Sequence, residues 1–197
     1  MELLRLRRRL LFARKGHKLL KDKLDGMIRQ IFDIVKLQQQ LSRQMEKEIS
    51  RVFGKLILAS AQTPSHTLEE ISRLSKCRAE FDFSIQNIMG VKTPKYELKL
   101  SGDPITYHFS AAPAVLDQAL IEFRKSMTEL VLMAEYNKTI TVLAAQIIEI
   151  KRRVNALEYV LIPELDEAVR FIRMKLAEME RSSTVSLLKI KNIVSSV

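Results

Sequence analysis

Apolar or small side chains recur along the first part of the chain at alternating steps of three and four. They are Leu3, Leu6, Leu10, Ala13, His17, Leu20, Leu24, Met27, Ile31 and Ile34, with His17 the one polar break. On a helix this spacing draws a single narrow stripe, the pattern of a coiled-coil seam rather than of a broad core face. Such a stripe has to be covered by another helix. The phase continues through Leu41, Met45 and Val52, with Gln38 and Glu48 interrupting it. Thr63-Pro64 ends the pattern, since a proline disfavours helical geometry in the residue before it. A helix over 1–62 is predicted, roughly 90 Å long at about 1.5 Å per residue.

A second long helical pattern runs from about Val115 to Ile190, with Leu116, Leu120, Phe123, Leu130, Ile140, Ala144, Ile147, Val154, Leu157 and Leu161 in its stripe. From Val154 the apolar positions continue through Leu165, Ala168, Ile172, Leu176 and Met179 at steps of three, four and four. An eleven-residue repeat of this kind relaxes a left-handed supercoil. Pro163 sits inside that change. An interior proline loses a backbone hydrogen bond and clashes with the preceding turn, at about 3 kcal/mol, so a bend is expected near 161–165. The simplest cover for the first stripe is this second helix, folded back as an antiparallel partner with both termini at one tip.

Between the two helices, Thr67-Leu68-Glu69-Glu70 fits a capping box, which predicts a short helix to about Cys77, with a continuation toward Asn87. Alternation follows. Tyr96, Leu98 and Leu100, then Ile105, Tyr107 and Phe109, are joined by Ser101-Gly102-Asp103-Pro104, and this reads as a two-stranded hairpin over about 95–110. The expected architecture is mainly all-α: a long antiparallel two-helix coiled coil made by the N- and C-terminal segments, with a short middle helix and a small β-hairpin. The segments 1–62, 63–112 and 113–192 are expected to form a single structural unit, a rod with a small head.

Composition supports few turns, with only five Gly and five Pro in 197 residues. The net charge of +10 is unevenly placed, because residues 1–62 carry fifteen basic against six acidic side chains and the rest of the chain is nearly balanced. The excess is densest at Arg5, Arg7, Arg8, Arg9, Arg14, Lys15, Lys18, Lys21 and Lys23. A face of this sign attracts nucleic acid, anionic lipid or an acidic protein wall. Aromatic side chains able to stack on bases are nearly absent there, Phe12 standing alone, so nucleic acid is not the expected partner. Cys77 is the single cysteine, which precludes an intrachain disulfide. No apolar run approaches the ~18–20 residues that cross a bilayer. The heptad phase runs on past Asp22 and Asp25, which assigns the basic start to the coiled coil rather than to a targeting peptide.

The chain is sparse in catalytic chemistry. His17 reads as a packed seam histidine; His66 and His108 fall in the middle segment, so no metal-ligand spacing arises. Glu164, Asp166 and Glu167 cluster, but Arg170 lies four residues after Asp166 and three after Glu167, with Arg173 three further on, the spacing of a salt-bridged helix face. Glycine-rich phosphate loops, serine nucleophile motifs and paired-cysteine motifs do not occur. Neither a cofactor nor a directly bound nucleotide is expected.

Two blocks carry a resemblance. Ala13-Arg14-Lys15-Gly16-His17-Lys18-Leu19-Leu20-Lys21-Asp22-Lys23 resembles the N-terminal signature of the D subunit of V-type and archaeal A-type rotary ATPases. Arg152-Arg153-Val154-Asn155-Ala156-Leu157-Glu158-Tyr159-Val160-Leu161-Ile162-Pro163 resembles its C-terminal helix signature, and the similarity continues through 172–176 to 189–191. The length is similar to that of prokaryotic members. The resemblance implies a non-catalytic central rotor subunit that carries torque between a catalytic hexamer of A and B subunits and a membrane ion-translocating ring. It also implies an F subunit and a funnel-like subunit (C or d) as partners, and a peripheral place on the cytoplasmic side of the membrane. Together with charge placement it nominates Arg7, Arg8, Arg9, Arg14, Lys15, Lys18 and Lys189 as contacts with the hexamer and Pro163 as a helix bend. The expected seam includes Leu3, Leu6, Leu10, Leu20, Leu24, Ile31, Val154, Leu157, Leu161 and Ile172. The alternative is a stand-alone basic coiled coil that binds nucleic acid or bridges protein partners.

Overall fold

The computed structural model describes residues 1–74, 76–108 and 112–195. Helix α1 spans Glu2–Gln62 and stops at Thr63-Pro64, where the proline forbids a further turn. Helix α2 spans Ser65–Leu74, strands β1 and β2 span Arg78–Ile88 and Val91–Ser101, and α3 spans Ala114–Ala156. A π-helical turn over Leu157–Leu161 joins α3 to α4, Ile162–Ser195. By its packing the chain divides into two compact units, one of residues Met1–Gly26 with Ile147–Val197 and one of Met27–Gln146. Those divisions fall inside α1 and α3.

In the first unit the three-four stripe of α1 is the less exposed edge. Leu3, Leu6, Leu10, Ala13, His17, Leu20 and Leu24 are half-buried, whereas Arg5, Arg7, Arg8, Arg9, Phe12, Lys15 and Lys18 are exposed. Arg14 meets Asp166 at 2.7 Å and His17 meets Glu158 at 3.3 Å, so α4 and the π turn run antiparallel to the start of α1. Ile150 and Val154 are buried, and Leu157, Ile162, Leu165 and Ile172 are half-buried. Leu161, expected on the seam, is 42% exposed, and its neighbour Ile162 takes the inner position. The step from Leu157 to Ile162 is five residues because the Ile162 N–H bonds the Leu157 carbonyl, which inserts one extra residue and turns the following face. Leu176 and Met179, the last expected apolar positions, are exposed, like every residue from 173 to 192.

In the second unit the same stripe continues through Met27, Ile31, Ile34, Gln38, Leu41, Met45, Glu48, Val52, Lys55 and Ala59, all buried or half-buried. Gln38 and Glu48 change the chemistry of the stripe and leave its phase intact. Ala59, Ile71 and Leu116 form a buried cluster, with Leu68, Tyr107, Ala112 and Leu120 packed around it. Lys55 donates to Glu122 at 2.7 Å, and this bond with its charge holds the Glu122 carboxyl below its ordinary range. Tyr107 donates to Asp117, and burial first, then this bond, push its hydroxyl pKa above the ordinary value.

The middle segment differs from expectation in two places. Helix α2 begins at Ser65 instead of Thr67, because the Pro64 carbonyl accepts from the N–H groups of Thr67 (3.1 Å) and Leu68 (3.3 Å) and so starts the ladder a turn earlier. The hairpin occupies 78–101, not 95–110. Its strands pair antiparallel from Arg78↔Ser101 to Ile88↔Val91 around Met89-Gly90. Both turn residues have positive φ, 51° and 86°, the geometry of the two-residue turn that matches strand twist. Ser101-Gly102-Asp103-Pro104 instead leads the chain out of β2: Gly102 lies at φ 89°, where an added Cβ would meet the Lys76 carbonyl at 2.5 Å, and Asp103 Oδ1 accepts the Ile105 N–H. Ile105 and Tyr107 are not in a strand, and Phe109 lies outside the described residues.

Candidate functional site

The charge gathers on the first unit, which holds eighteen basic against ten acidic residues, while the second holds fifteen against thirteen. This placement follows from the heptad. Where every third or fourth position turns inward, the positions between turn outward, and at the start of α1 those are arginine and lysine. Arg7, Arg8, Arg9, Lys15 and Lys18 are exposed there, and Lys189 is exposed on α4. Arg14 is exposed too but is committed to Asp166 at 2.7 Å. Of the expected acidic cluster on α4, Asp166 therefore answers α1 across the helix pair rather than Arg170 or Arg173 along its own helix. Both partners are well exposed, and a pair of this kind contributes about 0–1 kcal/mol.

His17 is the one polar residue of the stripe in the first unit. Its side chain is 19% exposed and Nε2 lies 3.3 Å from Glu158 Oε2, inside the π turn. Gly16 beside it has open space where a Cβ would go, so no close approach requires a glycine there. Pro163 lies one residue beyond Ile162. Without an N–H, Pro163 cannot close an ordinary bond to the Tyr159 carbonyl and its ring crowds that carbonyl, and a π turn in the preceding residues is a recognised cause of helix irregularity.

The second unit offers an apolar groove of about 530 Å³, with Leu56, Ile57, Leu68, Ile71, Leu116 and Leu120 among its walls. Its lining includes no ionisable side chain, and its two hydroxyls, Ser60 and Ser72, donate to the carbonyls of Ile57 and Glu69 in their own helices, so it supplies mainly apolar contact. Among the described residues no three His, Cys, Asp or Glu side chains gather as a metal-binding set. No described helix is long and apolar enough to cross a membrane. The arrangement suits contact with other macromolecules, through cations on one unit and apolar surface on the other.

Two side chains that position the hairpin escaped the sequence reading. Glu135 and Arg124, both on α3, hold the backbone of β2: Glu135 Oε2 accepts the Tyr96 N–H at 2.8 Å, and Arg124 donates to the carbonyls of Leu100 (3.1 Å) and Gly102 (2.7 Å). The usable signal was Glu135 itself, an acid four residues before Thr139 and eight before Leu143 on the inner stripe of α3.

The family model for the ATP synthase D subunit matches residues 2–192. The V-type ATP synthase D subunit of Acetivibrio thermocellus is 38% identical over 198 residues, covering 98% of this chain and 89% of that protein. The D subunits of Clostridium novyi and of a Thermoanaerobacter species are each 37% identical, again over 98% of this chain and over 92% and 94% of their own lengths. A match of this extent takes in the basic start, the hairpin, the π turn and α4 together, and the chain belongs to the ATP synthase D-subunit family.

Proposed function

We propose that the chain is the central stalk subunit of a V-type ATP synthase, a non-catalytic rotor that carries torque between the catalytic hexamer of A and B subunits and the membrane ring. The reading is carried by one observation: a family match over residues 2–192 on a chain whose first and last helices pair antiparallel along a heptad stripe of constant phase. Torque transmission needs two helices that do not slide past one another, and a long interdigitated seam opposes sliding. The exposed cations suit a surface whose contacts are remade at each step, because individual exposed charge contacts are weak and long-ranged in their steering.

In this reading Arg7, Arg8, Arg9, Lys15, Lys18 and Lys189 meet acidic or polar loops of the hexamer, while Arg14 is shared between that role and Asp166. Pro163 and the π turn set a bend that presents different faces to successive catalytic interfaces. The F subunit and the funnel-like subunit above the ring engage the remainder of the chain, and the protein works as a peripheral component on the cytoplasmic side. The stand-alone basic coiled coil rested on the charge stripe alone, and full-length family membership displaces it.

The test is co-expression with an F subunit, addition to the A–B hexamer, and size-exclusion chromatography with light scattering. One copy of each entering the hexamer and changing its ATP turnover is the expected result. A chain that ignores both partners overturns the reading. Alanine at Arg7, Arg8 and Arg9 together should leave the fold intact and lower coupled turnover; unchanged assembly and turnover would remove these residues from the interface.

A further inference from the structure

The two edges of the hairpin stand in opposite situations. Along β2, α3 answers the outward backbone groups: Glu135, only 7% exposed, accepts from Tyr96, and Arg124 donates to Leu100 and Gly102. These contacts fix the parity of the sheet. In an antiparallel pair, residues alternate between those that bond each other and those whose N–H and C=O point away. Tyr96 and Leu100 point away from β1, so their partners Phe83 and Ala79 point away from β2, and Phe81 and Ile85 share that parity. The sheet has two strands among the described residues, and the outer backbone of β1 therefore forms an open edge.

Side chains at the same positions make that edge apolar. Phe81, Phe83 and Ile85 are 54%, 72% and 68% exposed. Their cross-strand neighbours Leu98, Tyr96 and Pro94 are half-buried on the same face, so an apolar surface begins under cover and runs out to the open strand. Natural proteins blunt open edges with proline, lysine or bulges. β1 contains neither proline nor lysine, its charged residues Arg78, Glu80 and Asp82 all lie on the face away from Phe81, Phe83 and Ile85, and its register is unbroken over eleven residues. The opposite face of β1 carries Glu80 and Asp82 toward the middle of the strand and Arg78 at its start, with Lys99 reaching Asp82 from β2 at 3.0 Å.

We propose that β1 is a strand-addition site, whose open edge takes an extended segment of a partner protein with apolar residues on one face and basic residues on the other. Backbone bonds from Ala79, Phe81, Phe83 and Ile85 supply affinity, and alternate side chains supply selection, the usual division of labour in strand addition. The acids choose the occupant. Pairing with a second copy in the register that overlaps all four apolar residues places Asp82 opposite Asp82, and like charges directly opposite are destabilising. A basic partner reverses that sign. The inference stands apart from the stalk reading, since it concerns the isolated hairpin edge and not assembly with the hexamer.

The full chain alone is the test material, titrated with a peptide of about ten residues alternating valine and lysine, the length of β1, and with its valine–glutamate counterpart. Hydrogen exchange is followed at single amides. The lysine peptide should slow Ala79, Phe81, Phe83 and Ile85 by at least about tenfold while leaving the ladder amides of Glu80, Asp82 and Ser84 unchanged. The glutamate peptide should bind at least about tenfold more weakly. Phe83→Pro removes one outward donor without breaking a ladder bond and should abolish the protection, with the ladder amides reporting that the hairpin is still folded. Glu80→Lys, which leaves the backbone untouched, should narrow the preference for the lysine peptide. No protection at the four outward amides, equal protection by both peptides, no effect of either substitution, or self-association of the chain through β1 in light scattering would each overturn the proposal.

Discussion

The two units use one stripe of α1 to different effect. In the second unit the stripe is covered by more than one element. Met27, Met45, Val52 and Ala59 are buried on α1, with Ile71 on α2, Val91 and Thr93 on β2, and Leu116, Ala119 and Leu143 on α3. In the first unit the stripe has α4 and the end of α3 beside it, and the α1 positions reach only half-burial. A pair of helices leaves each seam residue open on its flanks, whereas a third layer closes those flanks. The lesson is that heptad spacing predicts which edge turns inward, while the number of layers sets how much water is excluded. Stability should concentrate in the second unit, and the first should leave more of its apolar surface in water.

The largest effect that would break this comparison is a core truncation. Leu143, fully buried, replaced by alanine should cost about 2–5 kcal/mol, whereas the half-buried Leu10→Ala should cost well under half of that, since both the lost transfer energy and the cavity left behind scale with burial. Urea unfolding with hydrogen exchange resolved by segment would measure both. Equal costs would mean that the first unit is as well enclosed as the second.

Next is the pH dependence of the second unit. Tyr107 has its hydroxyl pKa raised in the folded state by burial and by its bond to Asp117, so the folded protein holds the proton more tightly than the unfolded chain. The stabilisation is complete below the unfolded value near 10.0 and is lost as pH rises from there through the folded value. Stability measured between pH 9 and pH 11 should therefore decline at the upper end, by about 1.4 kcal/mol for each pH unit that this group controls. Tyr107→Phe should flatten that decline while lowering stability at neutral pH. A decline that survives the substitution would assign it to other groups.

How much of this was legible in the sequence follows the same division. The stripe from Leu3 to Ile34 was legible because helix period and burial coincide there without interruption. The hairpin was misplaced for a physical reason. Phe81, Phe83 and Ile85 alternate, but a capping-box reading at Thr67 extended a helix over them. Pro94 is tolerated because Ile85↔Pro94 has the outward parity, so the ladder asks for no N–H from it. The π turn was legible only as a disturbance near Pro163, since proline announces a broken bond without saying that an extra residue will be inserted before it. The contacts of Glu135 and Arg124 with β2 depend on where the hairpin lies, so they were invisible once it was misplaced. Of the nominated cations, position along α1 gave exposure correctly, but the ion pair of Arg14 required knowing which α4 residue came opposite.

A smaller effect would sharpen the comparison at the level of the helix itself. Gly16 and Gly54 lie in α1, one in each unit, and both have open space where a Cβ would be placed. Alanine at either position reduces the freedom of the unfolded chain and should stabilise by about 0.4–1 kcal/mol. Because neither substitution touches the packing, the two gains should be alike, unlike the two core truncations. Thermal unfolding of the two variants measures this, and a clear gain at one position only would show that something beyond helix propensity separates the units.

The smallest effect tests whether charge holds the first unit together. Arg14 and Asp166 are 59% and 45% exposed, so water and salt screen them, and ordering two side chains offsets part of the attraction. A double-mutant cycle with Arg14→Ala and Asp166→Ala should give a coupling of about 0–1 kcal/mol, shrinking further at high salt. A coupling above about 2 kcal/mol would mean that the pair is more enclosed than its exposure indicates. The weak result carries the functional point. If the pair adds little, Arg14 remains free to exchange Asp166 for another acid, as the proposed rotor surface would require. If the pair is strong, Arg14 belongs to the helix pairing, and the contacts proposed with the hexamer fall to Arg7, Arg8, Arg9, Lys15, Lys18 and Lys189.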